Sequence, residues 1–222
     1  MMSWESEGEN TVRTEPLYKT LGIRPGLTAI IGSGGKTSLM LHLCRELPGT
    51  VIVCTSTHIL PPEDMPLYTD PVDKLPVQKC CLGSWNDQGK LSAPVQPFEA
   101  LLSLADYVLV EADGSKRLPL KAHLSHEPVI PACANQVIQV LGLSGLGKPV
   151  EESAHRAERY AQLCEASVED SVTPEMAAMV LNREALADQY LLNQADNAER
   201  IALGSKLAAL LDKSAVLNTF RP

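Results

Sequence analysis

Leu27-Thr28-Ala29-Ile30-Ile31-Gly32-Ser33-Gly34-Gly35-Lys36-Thr37-Ser38 is the stretch on which the fold turns. Its first five residues are apolar and partly β-branched, the pattern of a strand buried on both faces. Glycines follow at 32, 34 and 35, and apolar residues then recur at helical spacing (Leu39, Met40, Leu43, Leu47) as far as Pro48-Gly49. A strand that feeds a glycine loop and then a helix aims free backbone N–H groups at one point, at the positive end of the helix dipole. The glycines permit sharp turning and close approach of an anion. Lys36 then reaches β- and γ-phosphates, and the Thr37 hydroxyl becomes a Mg²⁺ ligand. The predicted nucleotide-binding set is Gly32, Ser33, Gly34, Gly35, Lys36, Thr37 and Ser38. The usual spacing is G-x-x-x-x-G-K-[ST]; here Ile30 stands where the first glycine belongs, so the loop is a variant.

On either side of this loop the chain reads as α/β. Leu17 to Ile23 suggests a short helix, and Val51 to Cys54 a second buried strand. Residues 59–76 hold five prolines and read as an irregular excursion, a length of loop that usually serves function. Val77 to Leu82 suggests an extra strand, Asn86 to Gly89 a turn, and Phe98 to Leu104 a helix leading into the strand Tyr107 to Val110. Val137 to Leu141 is a further strand, and helical spacing returns over Ala154 to Glu165. Thr173-Pro174-Glu175 is a cap followed by proline at the first helical position. Gln189 to Leu192 and Ala215 to Leu217 complete the strands, with a helix over Ala198 to Leu211 between them. The fold class expected is a P-loop NTPase-like three-layer α/β fold with a mostly parallel central sheet. Residues 1–16 are expected to be a flexible tail and 17–222 a single nucleotide-binding domain.

Composition narrows the partners. A net charge of −8 with no Lys/Arg-dense stripe opposes nucleic-acid binding. No run approaches the ~20 apolar residues of a membrane span. The acidic, polar start carries no signal-peptide core, and none of the six cysteines forms a Cys-x-x-Cys pair. A cytoplasmic chain with free thiols is expected. Adjacent Cys80 and Cys81 read as inert.

The strand Tyr107–Val110 runs into Glu111-Ala112-Asp113-Gly114. Carboxylates at the C-terminal edge of a parallel strand beside the loop are placed to organise Mg²⁺ and an attacking water. Lys36, Glu111 and Asp113 are therefore the candidate catalytic residues, with Thr37, Glu111 and Asp113 the candidate Mg²⁺ ligands. A solvated Asp-Gly turn is the bland alternative for the acidic pair. Thr55-Ser56-Thr57-His58 gathers hydroxyls at the same edge, either for the metal shell or for loop capping. Asn193 and Asp196, three apart after an apolar strand, resemble the Asn-Lys-x-Asp that guanine-specific proteins carry, with Gln194 in place of the lysine. They favour GTP over ATP slightly; the alternative is a strand-to-helix turn capped by Asp196 or Asn197. His123, His126 and Glu127 lack zinc spacing and read as a structured loop, and His155-Arg156 as the opening of a helix.

Taken together, several segments resemble the YqeC-type family of selenium cofactor biosynthesis or selenium-dependent hydroxylase accessory proteins. They are residues 31–38, Thr55 to His58, Val108 to Lys116, Pro119 to Ala122, His126 to Pro131, Leu143 to Pro149, His155-Arg156 and Asn193 to Asp196. The resemblance implies a Mg²⁺-dependent, nucleotide-binding accessory protein, an NTPase using GTP or ATP. Its implied partner is a selenium-dependent molybdenum hydroxylase or that enzyme's cofactor. A kinase or nucleotidyltransferase acting on a small cofactor precursor, and a non-hydrolysing, nucleotide-controlled binding module, are the alternatives. A looser likeness is to metallochaperone GTPases of nickel enzymes, from which the chain departs at Gln194. The oligomeric state is not legible.

Overall fold

The computed structural model describes residues 15–220; most of the expected tail, residues 1–14, lies outside them. An eight-stranded sheet forms the centre. From one edge to the other its strands are Ala215–Leu217, Gln189–Asn193, Ala134–Gly142, Gly26–Gly32, Tyr107–Glu111, Val51–Thr55, Lys79–Leu82 and Leu67–Tyr68. Every pairing in it is parallel. The continuous burial of Leu27 to Ile31, Val51 to Cys54 and Val108 to Val110 follows from that topology, because helices cover both faces of a parallel sheet.

Alternation along each strand assigns the two faces. Ile30, Val53, Leu109 and Leu191 pack with Leu39, Met40 and Leu43 of the helix Lys36–Glu46, and with Leu17 and Leu21 around the helix Leu17–Thr20. Ala29, Ile31, Cys54, Val108 and Val110 face the other way, toward Leu101 of the short helix Phe98–Leu101. Tyr190 and Leu192 join a third cluster on that second face, with the helices Ala157–Cys164, Pro174–Glu184 and Ala198–Ala208. The molecule is thus α/β in three layers, as the strand and helix patterns imply.

Most expected elements are present with shifted ends. Thr173 caps its helix, accepting the Met176 N–H at 3.3 Å. The irregular stretch after Thr55 contributes only two-residue strands, His58–Ile59 and Leu67–Tyr68, and the turn at Asn86–Gly89 joins a small antiparallel sheet. One expectation needs correction. The helix predicted from Ala154 begins at Ala157. Ala154 and His155 instead pair in parallel with Leu120 and Lys121. Arg156, at φ 67°, breaks the chain between this ribbon and the helix. Helical periodicity extended too far because the buried Ala154 and His155 fit either period.

Candidate functional site

Three strands end at one edge of the sheet and bring the predicted residues together. Gly26–Gly32 lies between Ala134–Gly142 and Tyr107–Glu111, with Ile30 opposite both Ile138 and Glu111. Ile30 is fully buried within its strand, which continues to Gly32 before the chain turns. The missing first glycine of the motif thus falls where the backbone is still extended.

The loop glycines are required by the protein's own packing. Gly32, Gly34 and Gly35 have φ of 89°, 84° and 132°, the region that favours glycine. A Cβ on Gly32 would stand 2.3 Å from the Val140 carbonyl oxygen, and one on Gly34 2.3 Å from the Gly142 nitrogen. A Cβ on Gly35 would meet the Asn193 amide at 2.3 Å. The loop is therefore folded hard against the neighbouring strand ends, a packing demand beyond the sharp turning and anion access that the sequence implies.

Beyond Ser33, whose N–H donates to Val140 O at 2.9 Å, the loop leaves its donors free. No acceptor among the described residues takes the N–H groups of Gly34, Gly35, Lys36, Thr37 or Ser38, and the helix has no side-chain cap. Helix starts are usually capped by Ser, Thr, Asp or Asn; uncapped N–H groups at a helix start are the kind of donors that can take an anion. Thr37 and Ser38 are exposed on that side.

Lys36 is turned inward. It donates to Gly32 O at 2.7 Å and lies 3.0 Å from Asp113 Oδ1 and 3.6 Å from Glu111 Oε1. The two carboxylates differ in what holds them. Asp113 is 1% exposed, and its Oδ2 accepts the Gly32 N–H at 2.8 Å and His123 Nε2 at 2.7 Å, with Lys121 Nζ at 3.4 Å. Burial alone would raise its pKa, but the His123 hydrogen bond and the Lys36 and Lys121 charges outweigh it and hold the carboxyl below its ordinary value. Glu111 is less enclosed and accepts from the Thr37 hydroxyl at 3.2 Å. Burial raises its pKa against the pull of Lys36, and the Asp113 charge adds to the rise.

A buried network extends from Asp113 beyond the residues that the sequence pattern singles out. His123 bridges two carboxylates, Asp113 on Nε2 and Glu184 on Nδ1, the latter at 2.8 Å. Glu184 also accepts the His123 backbone N–H at 2.6 Å. Both ring nitrogens face acceptor-only groups, so the fitting species is the imidazolium. Burial would lower the His123 pKa, yet the hydrogen bonds to Asp113 and Glu184 raise it above its ordinary value. Lys121 donates to Glu127 at 2.7 Å and to Gly114 O at 2.6 Å, and Arg156 reaches Glu127 at 3.1 Å. His123 and Glu127, read as parts of a loop, thus belong to one electrostatic unit with the strand end. The signal available in the sequence was Lys121 and His123 embedded in the apolar run Pro119 to Leu124. Glu184, at the end of a distant helix, carries no such signal.

The other predicted residues divide. Asn193 is buried, donates to Gly34 O at 2.8 Å and accepts from Asn218 at 3.2 Å, so it ties the far strand to the loop. Asp196 is exposed, engaged by Arg200 at 2.7 Å and by the Thr219 hydroxyl. Asn197, not Asp196, caps the helix Ala198–Ala208. Thr55 donates to Glu111 O at 2.8 Å, which gives that hydroxyl a structural duty. Burial pushes the Cys80 and Cys81 thiols up to about 11 and about 12, in keeping with inert residues.

A sequence profile described as YqeC protein matches residues 28–158. The chain belongs to the YqeC family. The uncharacterized protein YqeC of Escherichia coli strain K12 is 36% identical over 157 residues, which span 63% of this chain and 61% of that protein. The segment that matches the YqeC profile holds the glycine loop, both strand-end carboxylates, Lys121, His123, Glu127 and Arg156; Glu184, Asn193 and Asp196 lie beyond it.

Proposed function

We propose that this chain binds a Mg²⁺–nucleoside triphosphate at the Gly32–Ser38 loop and hydrolyses it. The observation that carries this reading is the run of five unpartnered N–H groups beside a buried lysine and two carboxylates. Thr37 and Glu111 are the pair suited to Mg²⁺: their oxygens lie 3.2 Å apart, whereas Asp113 has three donors on Oδ2 and Lys36 beside Oδ1. Among the described residues no group of three or more His, Cys, Asp or Glu could hold a metal ion. That suits Mg²⁺, which is bound through one or two protein oxygens, substrate phosphates and water. Bound there, the ion supplies charge neutralisation for the phosphates. Lys36 and the loop amides stabilise the phosphoryl charge, and Asp113 holds the loop through Gly32.

The wider role we propose is that of an accessory protein in selenium cofactor biosynthesis or in maturation of selenium-dependent molybdenum hydroxylases. It is supported by the likeness of the segments quoted above. A binding and turnover panel of ATP, GTP and CTP with Mg²⁺, with and without such a hydroxylase, tests both levels. Lys36→Ala is expected to weaken triphosphate binding by about 1.5–3 kcal/mol, the worth of a charge-assisted contact. Unchanged affinity in calorimetric titration refutes the site. Stoichiometric modification of a small molecule in place of hydrolysis would select a transferase.

A further inference from the structure

Lys116 and Arg117 are the central residues of a turn that Leu118 N–H closes on Ser115 O at 3.0 Å. Both have left-handed backbone, at φ 50° and 62°. A turn with positive φ at both central positions is ordinarily filled by Asn-Gly or Asp-Gly. Two long cationic side chains break that local rule, and such exceptions concentrate at functional sites.

The turn is fastened at both ends to the site. Gly114 O accepts from Lys121 at 2.6 Å and lies 3.1 Å from His155 Nδ1. Leu118 O accepts from the Ser33 hydroxyl at 2.8 Å, and Pro119 O accepts the Gly142 N–H at 2.9 Å. Pro119 O also stands 3.0 Å from where a Cβ on Gly34 would be. The turn therefore rides on the glycine loop. Lys36, Lys121 and Arg156 all have carboxylate partners, whereas Lys116 and Arg117 are exposed and make no ion pair or hydrogen bond among the described residues. In a chain of net charge −8, this strained turn carries two positive charges that have no partner among the described residues.

We propose that Lys116 and Arg117 contact the terminal phosphate of a nucleotide held by the loop, an inference that rests on the reading of the loop given above. They would then distinguish triphosphate from diphosphate, because the terminal phosphate is the charge that a diphosphate lacks. The test is the double substitution Lys116→Asn with Arg117→Gly, which removes both charges and supplies residues that this turn prefers. A Tm equal to or above the parent's verifies folding. Calorimetric titration with Mg²⁺ and non-hydrolysable GTP and ATP analogues, and with GDP and ADP, gives the readout. Affinity for the triphosphate analogues is expected to fall about tenfold or more while that for the diphosphates changes by less than about twofold. Unchanged triphosphate affinity, or an equal loss for both ligands, overturns the inference. A parent that binds neither ligand overturns the loop reading itself, and the inference with it.

Discussion

Asp113→Asn and Glu111→Gln are near-isosteric changes two residues apart, and the structure assigns them opposite consequences. Asp113 is 1% exposed, with Lys36 at 3.0 Å, Lys121 at 3.4 Å, His123 at 2.7 Å and the Gly32 N–H at 2.8 Å. Asparagine removes the negative charge that three buried cations share. It also turns one acceptor oxygen into an N–H₂ donor facing other donors. Removing one partner of a buried ion pair costs about 3–5 kcal/mol, a large part of the roughly 5–15 kcal/mol that stabilises a domain. With a urea m-value of about 2.5 kcal/mol/M, the midpoint should fall by about 1–2 M. Glu111 is the contrary case: burial already raises its pKa, so neutralising it relieves desolvation while Thr37 keeps an acceptor. Glu111→Gln should stay within about 1 kcal/mol of the parent while losing Mg²⁺-dependent binding. Equal midpoint shifts in the two variants, with m unchanged, would refute this division between a structural and a metal-facing carboxylate.

Three further outcomes follow from the same geometry. The His123 pKa is raised on folding, so its stabilising contribution is complete below about pH 6.5 and is lost as pH rises through the higher folded value. Urea midpoints measured from pH 6 to 9 should therefore decline in the parent and flatten in His123→Gln; parallel profiles would remove His123 from the network. Gly34→Ala places a Cβ 2.3 Å from the Gly142 nitrogen at a φ of 84°, and should cost at least about 2 kcal/mol in chemical denaturation, whereas Gly89→Ala, with open space around it, should cost only its backbone strain of about 1 kcal/mol. Cys80 and Cys81 are buried with thiols raised to about 11 and about 12, so a thiol reagent at pH 8 should label neither until urea unfolds the chain; rapid native labelling located there by peptide mapping would contradict that environment.

The scaffold was legible because local pattern and topology coincide. Apolar runs such as Ile52 to Cys54 and Val108 to Val110 need helices on both faces, and the loop between Gly32 and Gly35 can only join a strand to a helix. What the sequence withheld was pairing across long separations. Lys121 and His123 stand in an apolar run, but the partners that permit their burial, Glu127, Glu184 and Asp113, are not marked by it, and Glu184 is 61 residues from His123. Asn193 stands out in the sequence by its spacing to Asp196, yet its amide bonds Gly34 O, 159 residues away. Motif reading finds residues that act through backbone geometry in one segment, and it misses those that act through a charge partner on another.

The network also bears on how the proposed ligand would enter. Lys36 is bound to Asp113, Glu111 and Gly32 O, so reaching a phosphate requires it to exchange partners. Asp113 does not become an unpaired buried charge when Lys36 leaves, because the Gly32 N–H, His123 and Lys121 remain on its other oxygen. Glu111 is the group that would be left short of positive charge, and it is the one beside the exposed Thr37, where a divalent cation bound with a triphosphate would restore the balance. Nucleotide without metal would leave Glu111 uncompensated, and metal without nucleotide would meet a site whose lysine still occupies the carboxylates. On this reading each ligand favours the other through Lys36, a positive coupling that must be equal in both directions. In such an exchange Asp113 would keep three of its partners, and the group that changes partners would be one lysine.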